Sequence, residues 1–484
     1  MELLGTVDWS CRIFSGGWVE GGGGSYPSVE PATGNPLGQV GAASAADVNR
    51  AVELARQGQR LWAGMSYQQR AAVLRRAADL LEVHHGEIED WSMREAGVPR
   101  YWAGVDGPAE ELRQAASLAS FPRGQVLPST QPRLSFTRRI PVGVVGVIAP
   151  FNAPLMLAVR SLAPALAVGN AVVLKPDPRT AVCGGVLLAR IFEEAGLPSD
   201  VLHVLPGGPD IGRQLVSHRD VPVIAFTGSA AAGRAVAELA APLLKRVHLE
   251  LGGNSALIVL EDADLEQAAV AGSVGSFMHA GQVCMASSRH VVAAPLVGDY
   301  TALLAERANE LPVGDPFKAD VAYGPLIDAA ARDRVHQIVQ DSVEAGARLV
   351  TGGTYDELFY RPTVLTDVPQ TARAYQEEIF GPVAPIVGFG DLEEAARLAA
   401  GTEYGLSLSV ITKDIMAGLK VAEQVPAGMV HINDQTITDE PIAPFGGVGL
   451  SGNGARIGGL ETNLDAFTEM QWVTARARPG GYPF

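Results

Sequence analysis

Cysteine, charge and long apolar runs are all scarce in this sequence of 484 residues. Three cysteines, Cys11, Cys183 and Cys284, cannot build a disulfide framework, so we expect a reducing, cytoplasmic compartment. Charged residues make up 19% of the chain and the net charge is −16, which disfavours nucleic acid and anionic membrane surfaces as partners. The first twelve residues lack the apolar run of a signal peptide.

A membrane-spanning segment is not indicated either. Residues 142–159 carry no charge, but Pro150, Asn152 and Pro154 interrupt them. A spanning helix needs about 20 apolar residues whose backbone groups are bonded internally. We therefore interpret this stretch as a buried strand, a turn and a helix.

Strand and helix patterns alternate along most of the chain. Val142–Ala149 is typical of a strand buried on both faces, and Thr180–Ala195 is predicted to be helical. A similar series restarts after Gly252 and continues to Met429–Ile432. Such alternation predicts a parallel, doubly wound sheet. Because the chain is too long for one ordinary domain, two α/β units joined near Leu249 are the simplest division.

Two stretches do not follow this alternation. Gly124–Ile140 resembles a hairpin, and Phe467–Ala475 resembles a single strand. Together they could form an added sheet that pairs with another subunit. An ordinary surface hairpin is the alternative.

Cys284 is the candidate nucleophile. Nearby Gly281 permits close approach of the backbone, and Ser287, Ser288 and Arg289 follow in the same segment. We expect these polar groups to lie beside the thiol and to favour the thiolate that nucleophilic catalysis needs. An inert buried cysteine is the alternative.

Two further polar residues lie at predicted strand ends, where α/β sheets place their sites. Glu250 precedes Gly252 and Gly253, and burial there would raise its pKa and suit it to general-base work. A solvated acid is the alternative for Glu250. Asn152 could donate to a developing oxyanion or simply cap the following helix.

Two glycine-rich segments are candidates for phosphate-binding loops. Gly228–Gly233 links a strand to a helix, whose free N–H groups could hold a phosphate. Gly447–Gly452 matches G-x-G-x-x-G but lacks a preceding buried strand, so we interpret it as a loop near the site. No metal is expected, because the adjacent His84 and His85 would point about 100° apart on a helix.

Over nearly its whole length the chain resembles the aldehyde dehydrogenase superfamily. The resemblance rests on seven segments in this order: PFNAPL, KPDPRT, FTGSAAAGRAV, LELGGNSALIV, GQVCMASSR, EEIFGPV and PFGGVGLSGNG. The sequence around them is most similar to the benzaldehyde and vanillin dehydrogenase branch. The resemblance implies oxidation of an aromatic aldehyde to its carboxylate through a cysteine thiohemiacetal and a thioester.

The resemblance also implies roles for individual residues. Cys284 matches the nucleophile, Asn152 the oxyanion donor and Glu250 the base that activates water. Residues that match cofactor contacts are Lys175 for the adenosine ribose, Gly228 and Ser229 for the pyrophosphate, Glu378 for the nicotinamide ribose, and Phe380 and Phe151 near the ring.

The cofactor is expected to be NAD or NADP. Many NAD-preferring members have a glutamate three residues after the lysine, where this chain has Pro178 followed by Arg179. Loss of that carboxylate removes repulsion against a 2′-phosphate, and Arg179 could pair with one. We therefore predict that both dinucleotides are used.

The substrate pocket is expected to be apolar and suited to an aryl ring. Arg160 could contact a polar ring substituent or form a structural salt bridge. The remaining candidates are equally compatible with an ordinary core: Leu157, Met278, Val283, Met285 and Phe445.

The resemblance implies a division of the chain and a homodimer or homotetramer. The expected parts are a cofactor-binding domain at 1–123 and 141–249, a catalytic domain at 250–440, oligomerisation strands at 124–140 and 465–484, and a return to the cofactor-binding domain at 441–464.

The sequence is also compatible with other functions. A semialdehyde or aliphatic aldehyde dehydrogenase of the same fold is the first alternative. A cofactor-independent cysteine hydrolase would use Cys284 with a histidine such as His279. A non-catalytic protein on an enzyme fold is disfavoured by the presence of Asn152, Glu250, Cys284 and Glu378.

Overall fold

The structure is a computed structural model that describes residues 2–480. In chain order the strands are β1 (Arg12–Phe14), β2 (Trp18–Glu20), β3 (Ser25–Val29), β4 (Pro36–Gly41), β5 (Leu134–Pro141), β6 (Val144–Ile148), β7 (Ala171–Lys175), β8 (Leu202–Val204), β9 (Val223–Thr227), β10 (Arg246–Glu250), β11 (Ser255–Val259), β12 (Ser287–Ala293), β13 (Arg348–Thr351), β14 (Tyr355–Asp356), β15 (Phe359–Tyr360), β16 (Thr363–Thr366), β17 (Val383–Phe389), β18 (Tyr404–Gly405), β19 (Ser407–Ile411), β20 (Met429–Ile432), β21 (Val448–Gly449) and β22 (Thr468–Ala475). The helices are α1 (Ala45–Gly64), α2 (Tyr67–Val83), α3 (His85–Glu95), α4 (Asp106–Leu118), α5 (Pro154–Ala167), α6 (Leu187–Glu194), α7 (Pro209–Ser217), α8 (Ala230–Ala240), α9 (Leu265–Phe277), α10 (Val297–Glu310), α11 (Ala329–Glu344), α12 (Arg373–Gln376), α13 (Leu392–Ala400), α14 (Ile415–Ala422) and α15 (Leu460–Phe467).

Seven strands form a first sheet in the order β10-β9-β6-β7-β8-β1-β2. The strands from β10 to β8 run parallel, and β1 and β2 continue the sheet antiparallel. β6 and β7 are buried and mostly apolar, as strands covered by helices on both faces are. Their carboxyl ends, together with those of β9 and β10, face one cavity.

A second sheet of seven strands has the order β13-β16-β17-β12-β11-β19-β20. All its neighbours are parallel except β13 and β16. Each sheet has its own apolar core, and α15 packs into the core of the first. The predicted α/β class with parallel, doubly wound sheets is confirmed, while the residue boundaries of the two domains stay a prediction.

The predicted helical character of Thr180–Ala195 is confirmed, but the stretch is not one continuous α-helix. A π-helical turn over Val182–Val186 separates a short 3-10 turn from α6. Glu95, which is fully buried, accepts the N–H groups of Val182 at 3.0 Å and Cys183 at 2.7 Å. The Glu95 carboxylate thus stabilises the π-helical turn. Cys183 is buried within this turn, which is consistent with a structural role for that residue.

β5 and β22 form a separate antiparallel pair, in which Leu134 faces Ala475 and Pro141 faces Thr468. The hairpin expected over 124–140 is partly formed, because Leu127 donates its N–H to the Ser135 carbonyl at 2.8 Å. Residues 465–467 belong to α15 rather than to the strand, and residues 481–484 lie outside the described part of the chain. Between residues 2 and 480 no helix is both long and apolar enough to cross a bilayer.

Candidate active site

A cavity of about 780 Å³ lies between the two sheets. Its first wall consists of residues that follow β6, β7, β9 and β10, the position where open α/β sheets bind ligands. Its second wall comes from the other unit and includes Cys284, Ile327, Arg334, Glu378, Phe380 and Tyr404. The cavity thus joins residues that are far apart in sequence.

The backbone just before Cys284 takes an uncommon conformation. His279, Ala280 and Gly281 have φ values of 48°, 55° and 68°. A Cβ atom at Gly281 would lie 2.1 Å from the Gly381 carbonyl oxygen, so only glycine fits there. The turn is held by Gln282, whose side-chain oxygen accepts the Ile327 N–H at 3.0 Å. This arrangement brings the half-buried Cys284 thiol to the cavity wall.

The surroundings of the thiol differ from the expected ones. Ser287 bonds to Thr436, and the Arg289 guanidinium donates to backbone carbonyls that include that of Asn254. Ser288 likewise donates to a backbone carbonyl. The expectation that these groups support a thiolate is therefore wrong, because their hydrogen bonds are made elsewhere.

Burial raises the pKa of Cys284 to about 12, and the nearby carboxylates of Glu378, Asp439 and Glu250 act in the same direction. Arg160 opposes them. Since this value lies well above neutral pH, the thiol of the free protein is protonated under ordinary conditions.

Asn152 lies against the segment that carries Cys284. Its Nδ2 donates to the Gln282 carbonyl at 2.9 Å. The alternative role as a helix cap is not adopted, because α5 begins at Pro154 and its N-cap residue is Ala153. The amide is 5% exposed and lines the cavity.

Glu250 is the last residue of β10 and is 3% exposed. Within residues 2–480 neither of its carboxylate oxygens has a hydrogen-bond partner. Burial raises its pKa well above the usual range, as expected for a strand-end base, whereas Arg456 and Arg160 lower it. The solvated-acid alternative does not apply. We call Asn152, Glu250 and Cys284 the buried end of the cavity.

The glycine-rich loop Gly447–Gly452 lies beside Glu250, in agreement with its predicted position near the site. Ser451 accepts the Leu251 N–H at 3.0 Å, and Gly452 forms a bridge with Glu250. A Cβ at Gly446 would lie 3.0 Å from Oε1 of Glu250. The loop therefore covers the free edge of β10.

The opposite part of the cavity carries the features of a phosphate-binding site. Ser229 caps α8 by accepting the Ala232 N–H at 3.3 Å, and the first residues of this helix line the cavity with Gly228. Lys175 ends β7, is buried, and has a pKa lowered by that burial. A helix N-terminus beside a lysine is suited to a dinucleotide.

Arg179 lies over the ring of Phe151 at 4.3 Å. Its guanidinium donates to both oxygens of Asp177 at 2.9 Å and to Asp328 at 2.7 Å. Asp328 caps α11, so this ion pair joins the two units of the chain. We call Asp177, Arg179 and Asp328 the exposed end of the cavity.

Glu378 accepts the Gly253 N–H at 3.0 Å, and burial raises its pKa to about 7. Arg334 holds the segment by donating to the Glu378 carbonyl at 2.7 Å. The ring of Phe380 meets that of Phe151 edge to face at 5.9 Å. These aromatic side chains line the cavity between its two ends.

Of the candidate substrate-pocket residues, Leu157 lines this cavity. Val283, Met285 and Phe445 belong instead to a small apolar cluster with Leu406 and Ile437. Met278 and Cys284 pack against the same cluster, as do Trp102 and Met429. The cluster adjoins Cys284, and its role as a substrate wall stays a prediction.

Arg160 is 4% exposed and forms the salt bridge that was one of its two expected roles. It donates to Glu111 at 2.9 Å and to Asp439, and it lies over the Phe445 ring at 4.9 Å. Because it does not line the cavity, a direct contact with substrate there is not supported.

His279 does not pair with Cys284 in this structure. Its ring packs on Trp102 at 5.2 Å, and neither ring nitrogen has a hydrogen-bond partner in the described part of the chain. Burial lowers its pKa to about 4. The arrangement does not favour a cysteine hydrolase. In residues 2–480 no group of three or more His, Cys, Asp or Glu side chains is arranged to hold a metal.

Sequence reasoning missed several of the charged residues here. Asp177 lies two positions after Lys175, so its place at the strand end was a usable signal. Asp328, Arg334 and Asp439 come from loops and a distant helix. Nothing in their local sequence indicates that Arg334 lines the cavity, or that Asp439 and Asp328 pair with Arg160 and Arg179.

Comparison with known proteins gives a consistent result. Residues 18–473 match the model of the aldehyde dehydrogenase family. The chain is 57% identical to a vanillin dehydrogenase of Amycolatopsis sp., with 100% of both chains covered. It is 48% identical to a benzaldehyde dehydrogenase [NAD(+)] of Pseudomonas putida, with 98% of both covered. The structure of a salicylaldehyde dehydrogenase from Pseudomonas putida G7, complexed with salicylaldehyde, superposes with a TM-score of 0.94 at 34% identity, covering 98% of this chain and 99% of that one.

Proposed function

The chain belongs to the aldehyde dehydrogenase family, and from that premise we propose that it oxidises an aromatic aldehyde of the benzaldehyde or vanillin type to the carboxylate. The observation that carries the proposal is the single cavity that joins Cys284, Asn152 and Glu250 to a helix N-terminus. The aromatic substrate class is supported by the printed activities of the relatives at 57% and 48% identity.

The hydride acceptor is NAD or NADP. Ser229 and the first N–H groups of α8 would hold the pyrophosphate, Lys175 and Glu378 the two riboses, and Phe380 the ring. A bound nicotinamide supplies the two-electron acceptor for the hydride. The partly exposed cleft and the cations that line it fit such a ligand.

Cys284 performs the covalent step. Its thiol proton passes to solvent water, and the sulfur adds to the aldehyde carbon while the carbonyl oxygen becomes an alkoxide. Asn152 Nδ2 and the Cys284 N–H donate to that oxygen. Loss of hydride from this thiohemiacetal leaves a thioester on Cys284.

Glu250 performs the hydrolytic step. Its carboxylate takes a proton from water, whose oxygen attacks the thioester carbon, and the sulfur departs to regenerate the Cys284 thiol. The product is the carboxylic acid. A raised pKa suits a carboxylate to this task because it makes the group a stronger base near neutral pH.

Both dinucleotides are expected to be used, with NAD the better one. Arg179 is already paired with Asp177 and Asp328, so little of its charge is left to attract a 2′-phosphate. A kcat/KM preference for NAD above about a thousandfold, or about 4 kcal/mol, would contradict use of both.

The protein is expected to be a homodimer or homotetramer. The β5–β22 pair exposes Leu134, Met470 and Trp472, each more than half accessible. Apolar residues on a two-stranded sheet favour pairing with a second copy.

The test is a panel of benzaldehyde, vanillin, succinic semialdehyde and hexanal, each with NAD and with NADP, followed by absorbance of the reduced cofactor. The proposal predicts kcat/KM values highest for the two aryl aldehydes. Higher values for the semialdehyde or the alkanal would move the chain to another branch of the family. Glu250→Gln should give a burst of reduced cofactor without sustained turnover.

A further inference from the structure

Glu250 is a carboxylate for which the protein provides no hydrogen bond. Both oxygens lack partners within residues 2–480, and the side chain is 3% exposed. A buried carboxylate in this situation takes up a proton and ceases to be a base unless a positive charge opposes the cost of burial. The identity of that charge decides whether Glu250 can work near neutral pH.

Two arginines act on Glu250, but they differ in what else they bind. Arg160 is paired with the carboxylates of both Glu111 and Asp439, so its charge is already compensated. Asp439 also acts on Glu250 in the opposite direction. The neutral thiol of Cys284 adds no charge of its own.

Arg456 has no such compensation. It forms no ion pair in the described part of the chain, and its Nη1 donates to the carbonyls of Gly447 at 3.0 Å and Ala455 at 2.8 Å. Its other guanidinium nitrogens have no protein acceptor in residues 2–480. Its positive charge is therefore available to a neighbouring carboxylate.

Gly446 brings the two side chains together. A Cβ built on Gly446 would lie 2.8 Å from Cδ of Arg456 and 3.0 Å from Oε1 of Glu250, so the Arg456 side chain passes close to that oxygen without forming a hydrogen bond to it. The loop is fixed to β10, because Asn453 donates to the Val247 carbonyl at 2.8 Å and accepts the Leu249 N–H at 3.3 Å. The loop that carries Arg456 is therefore held next to the strand that carries Glu250.

We propose that Arg456 is a positioning residue for thioester hydrolysis, whose uncompensated guanidinium favours the ionised form of Glu250 in which it can act as the base. This inference rests on the proposed function, since it assigns a partner to the base of that reaction. It also gives the glycine-rich loop a role, which is to carry a cation in the neighbourhood of a buried carboxylate.

The test isolates hydrolysis from cofactor chemistry. Cys284 is acylated with 4-nitrophenyl benzoate, which releases nitrophenol and leaves a thioester, and the rate of its hydrolysis is measured from pH 5.5 to 9. Arg456→Gln should move the acid limb of this pH–rate profile to higher pH by about one pH unit. At a fixed pH on that limb, this is about a tenfold loss of rate. Arg456→Lys keeps the charge and should stay within about threefold of the parent.

Controls separate the possible failures. If Glu250→Gln hydrolyses the thioester as fast as the parent, the proposed function itself fails. If Glu250→Gln is inactive but Arg456→Gln leaves the profile in place, only the role of Arg456 is overturned. If Arg456→Gln does not fold, the double variant Glu250→Gln/Arg456→Gln is tested for folding. Recovery of folding in the double variant supports a charge partnership between the two residues. Continued misfolding shows that Arg456 only fixes the loop.

Discussion

The two ends of the cavity treat polar groups in opposite ways. At the exposed end Arg179 is held by Asp177 and Asp328, and every charge has a partner within hydrogen-bond distance. At the buried end both oxygens of Glu250 are unpartnered and Cys284 is held neutral. Buried polar groups are normally satisfied, and leaving them unpartnered costs free energy.

This contrast suggests a structural role for the exposed end of the cavity and a catalytic role for the buried end. Paired charges at the exposed end fix the shape of the opening and join the two units. At the buried end Asn152 is hydrogen-bonded, but the Glu250 carboxylate has no partner in residues 2–480 and is free to bond to reacting atoms. Changes at the buried end should therefore reduce catalysis strongly, and changes at the exposed end should adjust affinity modestly.

The largest effect is expected from Cys284→Ala. Without a sulfur no thiohemiacetal forms, so kcat should fall by about 10⁴-fold or more. Cys11→Ala, which alters an exposed cysteine, is the matched control and should keep full activity. Turnover by Cys284→Ala within tenfold of the parent would remove the covalent step from the mechanism.

Arg160→Met tests whether a paired charge near the buried end supports the fold. It leaves Glu111 and Asp439 buried without their cation, so the free energy of unfolding should fall by about 3–5 kcal/mol at pH 8. The loss should be smaller at pH 5, because carboxyl groups without a cation take up protons more readily. Urea denaturation at pH 8 and at pH 5 measures the free energy of unfolding under both conditions. The surface pair Arg113–Glu82 supplies the control, since Arg113→Met should cost about 1 kcal/mol or less.

Asn152→Ala removes one donor at the buried end. The expected loss in kcat is about 10²- to 10³-fold with little change in KM, because the amide acts on the oxyanion of the transition state. Asn152→Asp has the same size but lacks the N–H, so it should be impaired as much. An equal rise in KM with kcat intact would instead indicate a role in binding.

The pH dependence of thiol alkylation follows from the raised pKa of Cys284. Because the value is about 12, the thiolate fraction of the free protein should rise about 100-fold from pH 8 to pH 10. An ordinary thiol with a pKa near 8.5 would gain only about fourfold. Iodoacetamide labelling followed by mass spectrometry measures the rate at Cys284 directly. A plateau below pH 9 would mean that the thiol is already activated without cofactor.

The smallest effect is expected at the exposed end. Asp328→Asn keeps the cap on α11 but removes one of the two carboxylates paired with Arg179, so KM for NADP should fall by up to about fivefold while KM for NAD changes less. Asp391→Asn, which alters the cap of α13, is the control and should change neither value. A large loss of kcat/KM with NAD would show that the exposed end of the cavity, like the buried end, is needed for catalysis.

The sequence was informative where chemistry and periodicity act locally. Buried strands such as β6, and the polar residues at their ends, follow from apolar runs that stop at glycine or proline, and this was enough to bring Asn152 and Glu250 to one edge. The partners of those residues could not be predicted, because Asp439 and Arg456 reach the buried end through tertiary packing. Ser287 and Arg289 misled for the same reason: proximity in sequence did not place their side chains beside the thiol.

The pairing of the glycine-rich loop with β10 also has a consequence for biosynthesis. The strands of both sheets leave the ribosome before Gly446, whereas the segment that covers Glu250 and supplies Arg456 follows them. A nascent chain can thus form most of its core while Glu250 is still uncovered. The surroundings of Glu250 are completed only in the last stage of translation, after Cys284 has already been made.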